Sequence, residues 1–337
     1  MKAVGFKTSL PINEADSFIE FETTKPTPGP NELLVKIMAV SINPVDYKIR
    51  QNSAKNIVLE TPKIIGWDAA GIVEAIGDKV QLFKPGDKVF YAGDITKQGC
   101  YAEYQNIDER IVGKKPSSLS YEAAAAMPLT GLTAWEILFD RIRISAERDK
   151  GKSILIIGGA GGVGSIAIQL AKKIAGLQVI ATASRPESTE WCKQLGADVV
   201  VNHKDLINEV RNAGFQQVDF IVDFVDVNSY WDALVELIKP QGHIASITGN
   251  SGTVALNKLK SKSVSFSWEL MYTRSMFQTD DMIEQHNILN RLADLFDNGT
   301  IKPTVNTILT GLTADNFKEA HQLIESGKTI GKIAIKF

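Results

Sequence analysis

The spacing of apolar positions changes character twice along the chain. Over the first third, short apolar runs are separated by Pro, Gly and Asp. Lys2 to Phe6 reads as a strand, and Leu33 to Val40 is apolar on both faces, as an interior strand would be. Ile64 to Val73 and Leu82 to Phe90 each read as a turn followed by a strand, the second punctuated by Pro85-Gly86-Asp87. Gly99 to Tyr104 begins another. Short strands at this spacing predict a small barrel. Residues 121–127 and 128–136 then switch to helical spacing.

From Ser153 onward strand and helix alternate. Strands are expected near 153–157, 177–183, 198–201, 218–224, 243–247 and 263–268. Helices are expected over 163–175, 188–195 (capped by Gly196), 205–213 and 229–238. Such alternation predicts an α/β fold with a doubly wound parallel sheet. The tail carries a helix from Met282 to Asp297, with Ile283, Leu289, Leu292, Leu295 and Phe296 on one face. A helix from Ala314 to Ser326 and a strand from Lys332 to Phe337 follow. The economical division is a β-rich domain of residues 1–127 and 275–337 and a dinucleotide-binding domain of residues 128–274.

The chemistry begins at the first predicted strand of the alternating region. Gly159, Gly161 and Gly164 give G-x-G-x-x-G between that strand and a helix, where Val163, Ile166, Ala167, Leu170 and Ala171 recur at helical spacing. A tight turn needs a residue that accepts φ > 0, as glycine does at no steric cost. Missing side chains at Gly159, Gly161, Gly162 and Gly164, and the backbone of Val163, let a pyrophosphate meet free N–H groups at a helix N-terminus. An NAD site carries an acid about 20 residues further on. Here, twenty residues past Gly164, the chain reads Ser184-Arg185. A hydroxyl and a guanidinium suit a 2′-phosphate, so the expected cofactor is NADPH.

Composition changes this picture little. The chain has 337 residues, 44% hydrophobic and 23% charged, with a net charge of −2. No basic run suggests nucleic acid, no apolar stretch reaches membrane-span length, and the N-terminus lacks the apolar segment of a signal peptide. Two cysteines, Cys100 and Cys192, cannot form a disulfide framework and suit a reducing cytoplasm.

Several segments together resemble the medium-chain dehydrogenase/reductase superfamily. They are Ser41-Ile-Asn-Pro-Val-Asp46, Gly66-Trp-Asp-Ala-Ala-Gly71, Lys84-Pro-Gly-Asp-Lys-Val89, Gly99-Cys-Tyr-Ala-Glu-Tyr104, Pro128-Leu-Thr-Gly-Leu-Thr-Ala134, Gly159 to Ser165, Leu195-Gly-Ala-Asp198, Met271 to His286 and Gly331-Lys332. The resemblance is closer to the quinone oxidoreductase branch, and within it to the zinc-type alcohol dehydrogenase-like proteins. It implies a GroES-like catalytic domain built from both chain ends, a Rossmann domain between them, and a homodimer formed through the sixth Rossmann strand.

The resemblance also raises zinc. Classical alcohol dehydrogenases of the superfamily place Gly-His-Glu where this chain has Gly66-Trp67-Asp68, and a Cys ligand within the segment matching Asn43 to Asp46. Trp67 cannot ligate zinc, and a catalytic zinc needs three protein ligands. The expectation is that zinc is absent; the rival is a site assembled from Asp46, Asp68 and a distant His. Hydride addition to a simple ketone needs a Lewis acid or a proton donor, whereas a quinone or conjugated enone delocalises the charge. The expected activity is zinc-independent hydride transfer from NADPH to such a small-molecule acceptor. Three alternatives stand beside it: an enoyl reductase for one unsaturated metabolite, a zinc-dependent alcohol dehydrogenase, and a non-catalytic NADPH-binding protein.

The resemblance assigns the remaining candidates. Asn43 matches a position near nicotinamide and substrate, or is a turn Asn before Pro44. Asp46 orders the site or caps the helix starting there. Trp67 walls the substrate pocket or is core. Thr130 matches a nicotinamide-side threonine or begins a helix. His203 matches a position packing on adenosine or is a loop histidine. Thr248 lies in the segment matching a nicotinamide-binding turn.

Overall fold

The computed structural model describes residues 1–248 and 252–337. The chain divides into two compact units, Met1–Leu129 with Tyr272–Phe337, and Thr130–Met271.

The second unit holds a six-stranded, all-parallel sheet. Its strands in chain order are Ser153–Ile157, Gln178–Thr182, Val199–Val201, Val218–Asp223, Ile238–Ser246 and Ser265–Trp268. Numbered that way, their spatial order is 3-2-1-4-5-6. This is the Rossmann order, which reverses direction between the first and fourth strands. Ser153–Ile157 is buried along its whole length, as a central parallel strand must be. Helices Gly162–Lys173, Pro186–Leu195, Leu206–Asn212 and Val227–Leu237 connect the strands. Gly196 ends the second of these with φ +112°, in the left-handed region that the sequence reserves for it.

One connection differs from expectation. A strand is expected near 243–247 after a helix over 229–238, yet the fifth strand begins at Ile238, directly after helix Val227–Leu237. A register shift between Val218 and Phe220 absorbs the extra residues as a bulge, with Gln241 at φ +63°.

The first unit is built on strand Glu32–Ile42. One side pairs with Asp68–Ile76; the other pairs with Tyr104–Asp108 over its first half and Lys332–Lys336 over its second. The β-rich expectation holds, but closure does not. The ladder runs from Val305–Thr310 to Val112–Lys114, and no pairing among the described residues joins those ends. Two register shifts in the central pair bend the sheet. Strands Ile19–Glu22, Val112–Lys114 and Val305–Thr310 have no counterpart in the sequence reading. Among the described residues, no helix is long and apolar enough to cross a membrane.

Candidate active site

The candidate residues fall into two groups, one in each unit. In the first unit, Asn43 directly follows the central strand and stands at the N-cap of helix Pro44–Asn52. Of the two readings of Asp46, the structure shows the cap: it is the N3 residue of a capping box. Asp46 lies one turn inside, and its Oδ2 accepts the Asn43 backbone N–H at 2.7 Å. The Asn43 side chain turns elsewhere: Nδ2 donates to Asp68 Oδ2 at 2.8 Å, and Oδ1 accepts from Lys332 Nζ at 2.5 Å. Lys332 also donates to Asp68 Oδ2 at 3.2 Å and Ile42 O at 2.9 Å. Asp68 Oδ1 accepts the Leu129 N–H at 2.8 Å.

All four side chains are buried: Asn43 is 1% exposed, Asp46 and Asp68 0%, and Lys332 3%. Burial pushes the Asp68 carboxyl up and the Lys332 ammonium down, and their contact opposes both shifts. Burial raises Asp46 to about 7, against the hydrogen bond from Asn43. Tyr101 Oη donates to Asp46 Oδ2 at 3.1 Å and lies 3.2 Å from His321 Nε2. Since the tyrosine proton points at Asp46, Nε2–H of His321 donates to Tyr101, a tautomer assigned from the network. Burial holds His321 well below its ordinary value, so its ring is neutral. Trp67 is 1% exposed, with its ring edge-on to Tyr272 at 6.4 Å between centroids.

In the second unit, the glycines do what their spacing requires, with one shift of position. The left-handed residue is Gly158, at φ +83°, just ahead of the motif. Gly159 is needed for space, because a Cβ there would meet Ala181 Cβ at 2.8 Å. Gly164 brings helix and strand together: its Cβ would stand 2.2 Å from Gly158 O. Gly161 is the N-cap of helix Gly162–Lys173 and has no atom closer than 3.5 Å to such a Cβ. On that side the first helical N–H groups, Gly162 and Val163 among them, have no partner within the helix. Ser184 is exposed and Arg185 half-buried, directly after the second strand; Arg185 is the N-cap of helix Pro186–Leu195. His203 is half-buried after the third strand. Thr130 is 2% exposed. The Thr248 hydroxyl is tied to Asp223 Oδ2 at 2.9 Å and to Ser246 Oγ at 3.1 Å, and accepts the Val227 N–H at 3.2 Å.

Sequence reasoning missed the partners rather than the candidates. Asp68 and Lys332 both stand in segments that carry the family resemblance, but nothing local signals that they meet. Asp223, at the C-terminal end of the fourth strand, binds Ser246 Oγ and Thr248 Oγ1 and was not singled out.

Residues 29–117 match the alcohol dehydrogenase GroES-like domain, and residues 162–286 match the zinc-binding dehydrogenase family. A zinc-type alcohol dehydrogenase-like protein of Staphylococcus epidermidis is 46% identical across 99% of both chains. The chain belongs to the medium-chain dehydrogenase/reductase superfamily, among its zinc-type alcohol dehydrogenase-like members. It is an oxidoreductase fold with a GroES-like and a Rossmann part. A 2-methylene-furan-3-one reductase of Solanum lycopersicum is 30% identical over 94% of this chain and 74% of its own. Among solved structures, a putative zinc-dependent alcohol dehydrogenase from Rhizobium etli has TM-score 0.95 and 45% identity, covering 100% of this chain and 98% of that one. The Escherichia coli quinone oxidoreductase complexed with NADPH has TM-score 0.84 and 26% identity, covering 100% of both.

The family name implies zinc, and the donor set does not fit it. Trp67 offers no lone pair. Both oxygens of Asp68 are taken by Asn43, Lys332 and the Leu129 N–H. Burial pushes the Cys100 thiol well up, and its Sγ lies 3.4 Å from the Asp68 carbonyl oxygen. Tyr101 stands between Asp46 and His321, so the rival set of two aspartates and a histidine is not brought together. Among the described residues no three His, Cys, Asp or Glu side chains cluster as a metal site.

Proposed function

We propose that the protein is a zinc-independent reductase that transfers hydride from NADPH to a quinone or conjugated enone. The observation that carries this reading is the closed Asp68 carboxylate beside Trp67, where a metal-dependent relative needs ligands. A ketone reductase without a Lewis acid must protonate a localised alkoxide; a conjugated acceptor spreads its charge and takes its proton from solvent.

NADPH when bound supplies the hydride. The residues of the chain bind and orient it. Gly159 to Gly164 present the helix N-terminus to the pyrophosphate, and Ser184 and Arg185 stand where an NAD enzyme carries its acid. Asn43 supplies an N–H for a carbonyl oxygen. The reading is supported by relatives named for quinone and enone-type reduction, one of them bound to NADPH.

The protein acts as a cytoplasmic homodimer in this proposal. Both cysteines are free and buried, as in a reducing compartment. Strand Ser265–Trp268 is an uncovered sheet edge, with Trp268 50% and Leu256 54% exposed.

The test is NADPH oxidation by chelator-treated protein, offered phenanthrenequinone and a simple alcohol/ketone pair side by side. Quinone turnover insensitive to chelator is expected. Activity confined to the alcohol pair and restored by zinc would overturn the proposal.

A further inference from the structure

We infer that Lys332 is a positioning residue that fixes which end of the Asn43 amide is offered to a ligand. The inference rests on the reading of Asn43 as a donor to an oxygen of substrate or cofactor.

An ammonium has three N–H donors and no acceptor. Those of Lys332 are all spent, on Ile42 O, Asn43 Oδ1 and Asp68 Oδ2. A carboxylate only accepts, and Asp68 Oδ2 takes one N–H of Asn43 Nδ2. The amide therefore lies between a cation that accepts nothing and an anion that donates nothing. Turning it over would set its NH2 against the Lys332 ammonium and its oxygen against the Asp68 carboxylate. Both of its charge-assisted hydrogen bonds would become repulsions. Asn43 is held in one of its two orientations, and among the described residues the second N–H of Nδ2 has no hydrogen-bond partner. The amide can offer an oxygen of quinone, enone or nicotinamide carboxamide a donor.

Lys332 comes from strand Lys332–Lys336 at the end of the chain, which pairs with the last residues of Glu32–Ile42. The pairing sets Ile333 opposite Ile42 and so delivers the lysine to Asn43. Without the lysine, a buried Asp68 takes up a proton and becomes a donor. Asn43 Oδ1 could then turn toward it, and the free N–H is lost to the ligand.

The test is a double-mutant cycle on the full-length protein with Lys332→Met, Asn43→Ala and the pair. Each is checked for fold by circular dichroism and thermal melting. Two readouts separate the source of the oxygen: kcat/KM with phenanthrenequinone, and the Kd for NADPH from tryptophan fluorescence. Lys332→Met is expected to lower one of them by on the order of tenfold when Asn43 is present and by less than about twofold when it is Ala. A change in kcat/KM alone assigns the N–H to the acceptor, and a change in Kd assigns it to the cofactor. Lys332→Arg, which keeps cation and donors, is expected to stay within about threefold of wild type. If Lys332→Met fails to fold, Lys332→Gln replaces it in the cycle. Equal losses in both Asn43 backgrounds, or no loss in either readout, would overturn the inference. A wild type inert toward every acceptor would sink the proposed function instead, and the Kd cycle would then decide the role of Lys332 alone.

Discussion

Two glycines of the same motif should respond oppositely to one added methyl group. Gly164 lies within helix Gly162–Lys173, where propensity alone makes Gly→Ala stabilising by about 1 kcal/mol. The structure reverses that sign. The new Cβ would sit 2.2 Å from Gly158 O and 2.8 Å from Gly159 Cα, both of them backbone atoms. Neither can swing aside as a side chain can, so helix and strand must separate. Overpacking of this kind costs roughly 1–3 kcal/mol beyond the propensity gain. At roughly 2–4 °C per kcal/mol, Gly164→Ala should lower Tm by about 2–12 °C. Gly161 has φ −73° and ψ 176°, which alanine adopts, and nothing lies nearer than 3.5 Å to its Cβ. As an N-cap change, Gly161→Ala costs under about 1 kcal/mol of stability. Its methyl group would nevertheless stand where the pyrophosphate approaches, and NADPH affinity should fall at least about tenfold. Thermal melting with and without NADPH reads both effects. A Gly164→Ala protein as stable as wild type, or a Gly161→Ala protein that binds NADPH normally, would refute the assignment of these roles.

Arg185→Asp should weaken NADPH by at least about tenfold and leave NADH nearly unchanged, since a charged hydrogen bond contributes on the order of 1.5–3 kcal/mol; equal changes in the two Kd values would remove the phosphate role. Asp46, raised to about 7 by burial, binds its proton more tightly folded than unfolded. It therefore stabilises the fold fully below its unfolded value near 4, and that contribution is lost as pH rises through 7. Asp46→Asn should be relatively more stable against wild type at pH 8 than at pH 5 in urea titrations, and a pH-independent difference would contradict the shift. Trp268→Glu should give a monomer by sedimentation if the exposed edge strand joins two copies; an unchanged dimer would place the interface elsewhere.

What could be read in the sequence was what is encoded locally. The run Ile154 to Ile157, the glycines after it and Gly196 are each decided by neighbours a few residues away, and each is found where the pattern sets it. The strands that escaped are short. Ile19–Glu22 and Val305–Thr310 alternate half-buried and exposed positions, but with Val112–Lys114 they are only 4, 6 and 3 residues long. The strand expected near 243–247 is found, but it begins already at Ile238, because tertiary pairing carries Pro240 and Gly242 within it as a bulge. The candidate site divides the same way. Asn43 and Asp46 stand out beside Pro44, but what orients Asn43 comes from residues 25 and 289 positions away. No periodicity records such a meeting. The Asp68–Lys332 ion pair is another such meeting, between strand Asp68–Ile76 and the end of the chain.

The central claim is metal-independent hydride transfer from NADPH to a conjugated acceptor. Its most direct test follows the hydrogen itself. Chelator-treated protein is given NADPH deuterated at one face of C4 and a conjugated enone, and the reduced product is analysed by mass spectrometry. The account predicts one deuterium at the β-carbon, from one of the two deuterated faces only, with no dependence on added zinc. A product without deuterium from either face, or one formed only after zinc is restored, would contradict it.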